Sequence, residues 1–587
     1  MNLRSFLRSI DNLTGSASAE QMATFIHEHA RLLKDAERSA YLELLQNICG
    51  TSSDSTLAQN TDHQDLSDRF NKISDQLQQI YDGELSLTAE LNEEYDDWYD
   101  NYDEEFIYRD PSGIGAILDG ACEFAVDCLD YEQYEYAADI ITAIICLKLP
   151  VAGEWSDYCE SLDASDLKQY GIITFDYRHL VSIGMYAVYC SSDLDNRAEE
   201  LYTFMDNTTV EDLGLEEILQ GRHEPEDFTE FLPLWIEYLG TRGGRRTQGL
   251  LKEALNLNND TEAQLNYARR FCSSHPSIYK DYFDENGHFL DPGDLQLLGT
   301  EALQAIAPQY EIRSSIAGKV GWLARNCGCA EFADDCLLEA FRSRTSVLNY
   351  LRLYTECADF SMYAAETHKI IHSAYSAADS KNNCPSVSEE LTENRPTRNT
   401  LYLLLFLNRE FKLVKEEGMN VNYALGWTST FMKCGIAAFL LLLFKGDHPD
   451  KGCRRMCSEI SSSAGLEYDN SKLYIPEGFN LPGQEWFWNC FCKWKSEQSL
   501  SFREQEDYFQ WLEGLIDRRV TAIMDGNKRS YYDECAAFLA AYGEAAESVG
   551  RIPSRQAILL RYKERYSRRR AFHESLRAYG MKDSKRK

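Results

Sequence analysis

The stretch LDGACEFAVDCLDYEQYEYAADIITAIICLKLP, Leu118 to Pro150, decides how the rest of the chain is read. Small or apolar residues recur at Leu118, Ala121, Phe124, Ala125 and Cys128, the 3,4 spacing that places them on one face of a 3.6-residue helix. A second run at Ala137, Ile141, Ile144 and Leu147 follows a short turn. Ala125 and Ala137 leave room for two antiparallel helices to approach closely, and Ile141 and Ile144 fill the gap to a following pair. A weaker copy returns between Leu323 and Phe341, with Ala324, Cys327, Ala333, Cys336 and Leu337 in the stripe. The expectation is an all-α chain built as an α-solenoid of degenerate helix-turn-helix repeats.

Such an array suits the length. At 587 residues the chain exceeds what one compact core accommodates, whereas stacked repeats lengthen their core as they are added. A hydrophobic fraction of 44% with only 13 Pro supports a folded helical protein. Before the quoted stretch, residues 1–50 read as an N-terminal helix pair and 64–81 as a further helix, and Asp110-Pro111-Ser112-Gly113 as the turn that launches the first hairpin. Residues 63–378 are expected as one helical-repeat lobe. The polar segment Asp379 to Arg398, with Pro385 and Pro396, is expected to part it from a second lobe over 399–587, whose densest core lies in Asn399–Leu413 and Trp427–Phe444. The apolar run Cys434–Phe444 is about half the roughly 20 residues that span a bilayer and is bracketed by Lys433 and Lys445, so a buried helix is expected.

The 18 Cys sit inside apolar helical patterns, the usage of buried free thiols in a reducing, cytoplasmic setting, and Met1–Gly15 carries no secretory signal. Net charge is −36 and uneven: from Arg551 onward 13 Lys or Arg face 3 Asp or Glu, which leaves −46 on residues 1–550. An acidic body repels phosphate backbones. A protein or basic peptide is therefore the expected partner, nucleic acid being reserved for the cationic tail 551–587, with no membrane partner and no cofactor.

Tetratricopeptide-type hairpins are what Leu118–Pro150 resembles, with Phe124, Ala125, Ala137, Ile141 and Ile144 on the positions those repeats fill with interlocking large and small side chains. It departs from them at Ala121 and Cys128, where aromatics are usual, and at Ile144, where alanine is. Cys336-Leu-Leu-Glu-Ala-Phe341 running into Ser346-Val-Leu-Asn-Tyr350-Leu-Arg-Leu353 is similar to the irregular helical repeats that follow SWIM zinc fingers in bacterial proteins. These resemblances imply an interaction scaffold and carry over no catalytic residue. The zinc finger itself is absent: Cys327-Gly-Cys329 and Cys336 begin the Cys-x-Cys, Cys-x-His pattern, but Leu338 stands where the His is required.

Three surfaces can be weighed from residue types. Glu90–Glu105 holds nine carboxylates and no basic residue, interleaved with Tyr95, Trp98, Tyr99 and Tyr102; acidic groups with embedded aromatics can steer and grip a basic peptide, or solvate an edge of the stack. The tail carries Arg568, Arg569 and Arg570 among Tyr562, Tyr566, Phe572 and Leu576, which fits either a polar cap on the array or a binding face. Arg242, Gly243, Gly244, Arg245 and Arg246 precede a helix and could cradle an anion, although the Lys-Ser/Thr pair of a nucleotide loop is missing and a solvated loop is the plainer reading. Cys453, Cys457, Cys490 and Cys492 could meet on a metal or simply pack, and Asp284-Glu-Asn-Gly287 reads as a surface turn. The reading favours a non-catalytic adaptor; an enzyme or metalloprotein without short motifs is the alternative.

Overall fold

The computed structural model describes residues 59–91, 106–153, 159, 162–219, 221, 223, 225, 227–378, 390–446, 448–464 and 484–582. The chain is all-α, with little strand. It divides into two compact units, Met1–Asp260 and Thr261–Lys587. The expected helix pair in residues 1–50 lies outside the described residues.

In the first unit, helix α1 (Gln59–Tyr81) packs on the hairpin α2 (Ile114–Asp130) and α3 (Tyr134–Cys146). The turn expected at Asp110–Gly113 forms. Gly113 takes φ +71°, and the Asp110 carboxylate accepts from the Ile114 and Gly115 N–H groups at 2.8 Å each, satisfying donors that a helix start leaves open. Leu118, Ala121, Phe124, Ala125, Cys128, Ala137, Ile141 and Ile144 are all fully buried, so the two periodic faces meet as expected. The next pair, α4 (Tyr177–Ser191) and α5 (Arg197–Asp206), packs on α3. Gly184 sits where three helices converge: a Cβ there would lie 2.5 Å from Phe204 and 2.6 Å from Ile141. The short α6 (Leu215–Leu219) and the pair α7 (Phe228–Gly240) and α8 (Arg245–Asn258) complete the unit.

Five short strands, among the described residues, were not expected. β1 (Leu87–Leu91) pairs antiparallel with β2 (Phe106–Arg109) and parallel with β4 (Val151–Ala152), while β3 (Lys148–Leu149) pairs antiparallel with β5 (Leu162–Asp163). Pro150 explains why the chain leaves α3 extended: it disfavours helix at the residue before it, and its own carbonyl accepts from Leu87 N–H at 2.9 Å.

In the second unit, α9 (Thr261–Phe271), α10 (Ser277–Asn286), α11 (Pro292–Ala305), α12 (Glu311–Asn326), α13 (Ala330–Ser343) and α14 (Val347–Glu356) pack largely on sequence neighbours. The α12/α13 hairpin contains the second periodic stripe. Its helices approach so closely at Gly321 that an added Cβ would lie 2.9 Å from the Cβ of Cys336. Asp284 is not in a surface turn but in the last turns of α10, ion-paired to Lys280 (2.7 Å) and Lys319 (3.1 Å).

Beyond α15 (Ala364–Ala377), the helices α16 (Arg398–Leu407), α17 (Met432–Leu443), α18 (Lys451–Ser463), α19 (Gln484–Ser496), α20 (Phe502–Asp525), α21 (Tyr532–Ser548), α22 (Gln556–Arg565) and α23 (Arg570–Ala578) follow. From Met432 to Leu443 only Lys433 is not buried, in line with the expectation for that apolar run, and no described helix is long and apolar enough to cross a membrane. One hydrophobic core runs from Leu337 to Met581.

The units therefore part after Asp260, and the segment 379–398 does not mark the division. Its described end is tied to helices that precede it: Glu390 accepts from Ser277 N–H (3.1 Å) and meets His275 (3.1 Å), Thr392 O accepts from Glu311 N–H (2.9 Å), and Asn394 bonds Thr345 and the Arg342 carbonyl. The described residues Glu390 to Asn394 strap two hairpins together.

Candidate functional site

Tyr95, Trp98, Tyr99 and Tyr102 lie outside the described residues. What is described is their frame, for β1 and β2 are paired from Thr88 opposite Arg109 to Leu91 opposite Phe106.

The arginines before α8 do not converge. Arg242 lies 3.5 Å over the Tyr238 ring and donates to the Tyr238 carbonyl at 3.3 Å. Arg246 turns toward the body, donating to Val210 O (2.9 Å) and Thr208 Oγ1 (3.3 Å). Arg245 is exposed, and Gly244, at φ +118°, supplies the turn into the helix. Two of the three guanidiniums are thus engaged with protein groups, and the spread leaves no common anion cradle. Gly243 is exposed beside them.

The tail is a docked part of the second unit. Ile558, Leu559, Tyr562, Phe572 and Leu576 are buried, and the cations above them face carboxylates of α20 and α21. Arg551 pairs with Glu506, Arg561 with Glu513 (2.8 Å), Arg565 with Asp517 (2.5 Å), and Arg555 lies 3.7 Å from Glu544. Arg569 bonds Asn527 Oδ1 (2.5 Å) and the Met524 carbonyl (2.8 Å), which leaves Arg568 and Arg570 as the exposed members of the triplet.

The four thiols do not meet. Cys453 and Cys457 share a face of α18, but Cys490 and Cys492 are two apart on a helix and point to opposite sides, Cys490 toward Thr355 Oγ1 at 4.0 Å. Burial pushes the Cys457 thiol up to about 12 and that of Cys490 to about 11, as it does for thiols packed in an apolar interior. Near the missing finger, Cys327 is exposed and Cys336 is buried in α13.

Two arrangements were missed by the sequence reading. The first is a groove of about 400 Å³ in the first unit, lined by Asp119, Glu123, Val126 and Asp127 of α2 and by Phe175, Asp176, His179, Leu180 and Ile183 at the start of α4. α2 and α4 are the first helices of successive hairpins, so their exposed faces form a common wall. Four carboxylates rim an apolar floor. Asp119 accepts from Thr174 N–H (2.9 Å), Asp176 caps α4 at His179 N–H (3.1 Å) and pairs with Lys168 (3.0 Å), and Glu123 is exposed with no hydrogen bond or ion pair among the described residues. Val126 is exposed on the same face. The chain supplies its own example of how this face takes a cation: Arg69 of α1 pairs with Asp127 at 2.8 Å and lies 5.0 Å over the Phe124 ring. The field is felt in the wall behind it, where burial first, then Asp119 and Glu123, push the Cys122 thiol up. The signal in the sequence was the i, i+4, i+8 series Asp119, Glu123, Asp127, on the face opposite the buried stripe.

The second is in the other unit. Among the described residues, the one group of His, Cys and carboxylate donors within ligand range of one another is His368, His372 and Glu410. His368 and His372, one helical turn apart, were legible as a pair; their carboxylate partner was not.

No protein-family model matches the chain, and no curated protein matches it significantly. Any functional reading therefore rests on the geometry.

Proposed function

We propose that this protein is a non-catalytic helical-repeat adaptor whose first unit binds a basic, partly apolar segment of a protein partner along the α2/α4 groove. The observation that carries this reading is the groove: Asp119, Glu123, Asp127 and Asp176 surround the apolar side chains Val126, Phe175, Leu180 and Ile183. Carboxylates steer a cationic segment and set its register, while the apolar floor supplies the contact area that holds it. The successive packing of α2 to α5 supports the solenoid reading of this unit. In the tail, pairing of Arg551, Arg561 and Arg565 with the body makes a free polycation for nucleic acid the poorer reading.

A fluorescent peptide of alternating lysine and leucine, titrated into the full chain, tests this by anisotropy. Saturable binding that weakens with added salt and falls at least tenfold, about 1.4 kcal/mol, in a Glu123→Lys/Val126→Asp variant is expected. Equal affinity for a glutamate-leucine peptide, or an unchanged affinity in the variant, contradicts it.

A further inference from the structure

His368 and His372 are four residues apart on α15, so both imidazoles leave one face of the helix. Facing them is the end of α16. That helix closes with Arg409 N–H on Phe406 O and Glu410 N–H on Leu405 O, each 3.0 Å, the crossed pattern in which the residue after the cap turns left-handed. Arg409 occupies that position at φ +71°, where glycine is the usual residue. The reversal carries Asn408 and Glu410 back against α15.

The outcome is a convergence of three atoms able to serve as metal ligands. Glu410 Oε1 touches His372 Nε2 and lies 3.5 Å from His368 Nδ1, and the two imidazole rings are 4.3 Å apart. The Asn408 amide donates to His368 Nδ1 at 2.8 Å and to Glu410 Oε1 at 3.1 Å, so one partial positive charge already sits where two acceptors point. All three ligand atoms lie within 4.8 Å of one another. Around a tetrahedral ion with bonds of about 2.0–2.1 Å, neighbouring donors stand roughly 3.4 Å apart, which the His368–Glu410 separation matches. His368 retains 56% of its side-chain exposure, leaving an open side for water.

We propose that His368, His372 and Glu410 bind a zinc ion, with Asn408 as the amide that orients the carboxylate. Two imidazoles and one carboxylate are a donor set for zinc and its first-row neighbours, and a poor one for calcium or magnesium, which take oxygen shells. The ion fastens α15 to the turn that ends α16. Binding requires both imidazoles neutral, so protons compete with it. This site belongs to the second unit, whereas the groove belongs to the first.

Chelator-treated full-length protein titrated with cobalt(II), then zinc(II), tests the assignment. The expected result is one equivalent of bound cobalt with ligand-field absorption and no thiolate charge-transfer band, displaced by zinc, with thermal unfolding raised by the metal. His368→Ala, at an exposed side chain, and Glu410→Ala each weaken binding at least tenfold and abolish the metal-induced rise in unfolding temperature. A sulfur band, wild-type affinity in both variants, or no saturable binding overturns the proposal; the sulfur band would assign the metal to the cysteines instead.

Discussion

Arg519 has no exposed surface, yet every face of its guanidinium is occupied. It pairs with Glu534 at 2.8 Å, donates to the Ala424 and Leu425 carbonyls at 2.5 and 2.9 Å and to Thr428 at 3.1 Å, and so holds the irregular segment before α17 against α20. Arg519→Met strands those acceptors and the Glu534 charge. It is expected to cost about 3–5 kcal/mol, read by denaturant unfolding, and removing Glu534 as well should cost less than the sum of the two single changes. Glu544 is a second buried charge, accepting from Gly452 and Cys453 N–H at 2.8 Å each at the start of α18. Burial raises its carboxyl above the ordinary 4.5 despite those bonds. The sign follows: its contribution is most favourable below the ordinary value and declines as pH rises through the raised one. Asp284 is the opposite case, because burial alone would raise it but Lys280 and Lys319 hold it below 3.8. Its contribution is present above 3.8 and is lost as pH falls. Glu544→Gln should therefore flatten the decline in stability from mildly acidic to neutral pH, whereas Lys319→Met should move acid unfolding to higher pH; unfolding monitored by circular dichroism across pH checks both. Spacing alone can pair Asp284 with Lys280 four residues before it, but the sequence betrayed neither Lys319 nor the partners of Glu544. A charged residue in a helical stripe looks alike whether it faces water or a partner 91 or 92 positions away in the chain.

Helix pairs are where the sequence spoke most clearly. The 3,4 spacing from Leu118 to Ile144 foretold a hairpin because burial on one face is all that such spacing encodes, and those positions are buried. Strands of two residues such as β3, β4 and β5 carry too few side chains to show a period. The cysteine question turned on the same point: only the helical state of α19 reveals that Cys490 and Cys492 diverge. Likewise His368 and His372 could be paired by spacing, while Glu410 joins them only through the left-handed turn at Arg409. Contacts between helices rest on glycine as much as on apolar side chains. A Cβ at Gly452 would lie 2.3 Å from the Ala541 backbone nitrogen of α21, and main chain cannot give way as a side-chain tip can. Gly452→Ala should cost about 1–3 kcal/mol or more by forcing α18 from α21. Gly249→Ala, in open space on α8, should stabilise by up to about 1 kcal/mol, and parallel thermal melts distinguish the two.

The tail shows why a charge count misleads when read without structure. Its surplus of ten positive charges fitted either a polar cap or a binding face, and the structure shows its apolar stripe as part of the second unit's core, with Arg551, Arg555, Arg561 and Arg565 answering carboxylates of α20 and α21. Deleting residues 551–587 should therefore abolish cooperative unfolding of that unit, whereas Arg568→Ala/Arg570→Ala should leave the melting temperature within the error of a surface change. The division of the chain was legible only in part. Composition marked a polar segment at 379–398, but compactness depends on which helices share a core, and α14, which precedes that segment, packs on both α16 and α19, which follow it. Four of the carboxylates carried by residues 1–550 line the α2/α4 groove. Hydrogen–deuterium exchange of the full chain, with and without a saturating lysine-leucine peptide, asks where a basic segment sits. The groove account predicts added protection in α2 and in residues 174–183, with α20 to α23 unchanged; protection confined to other helices, or none at saturation, contradicts it.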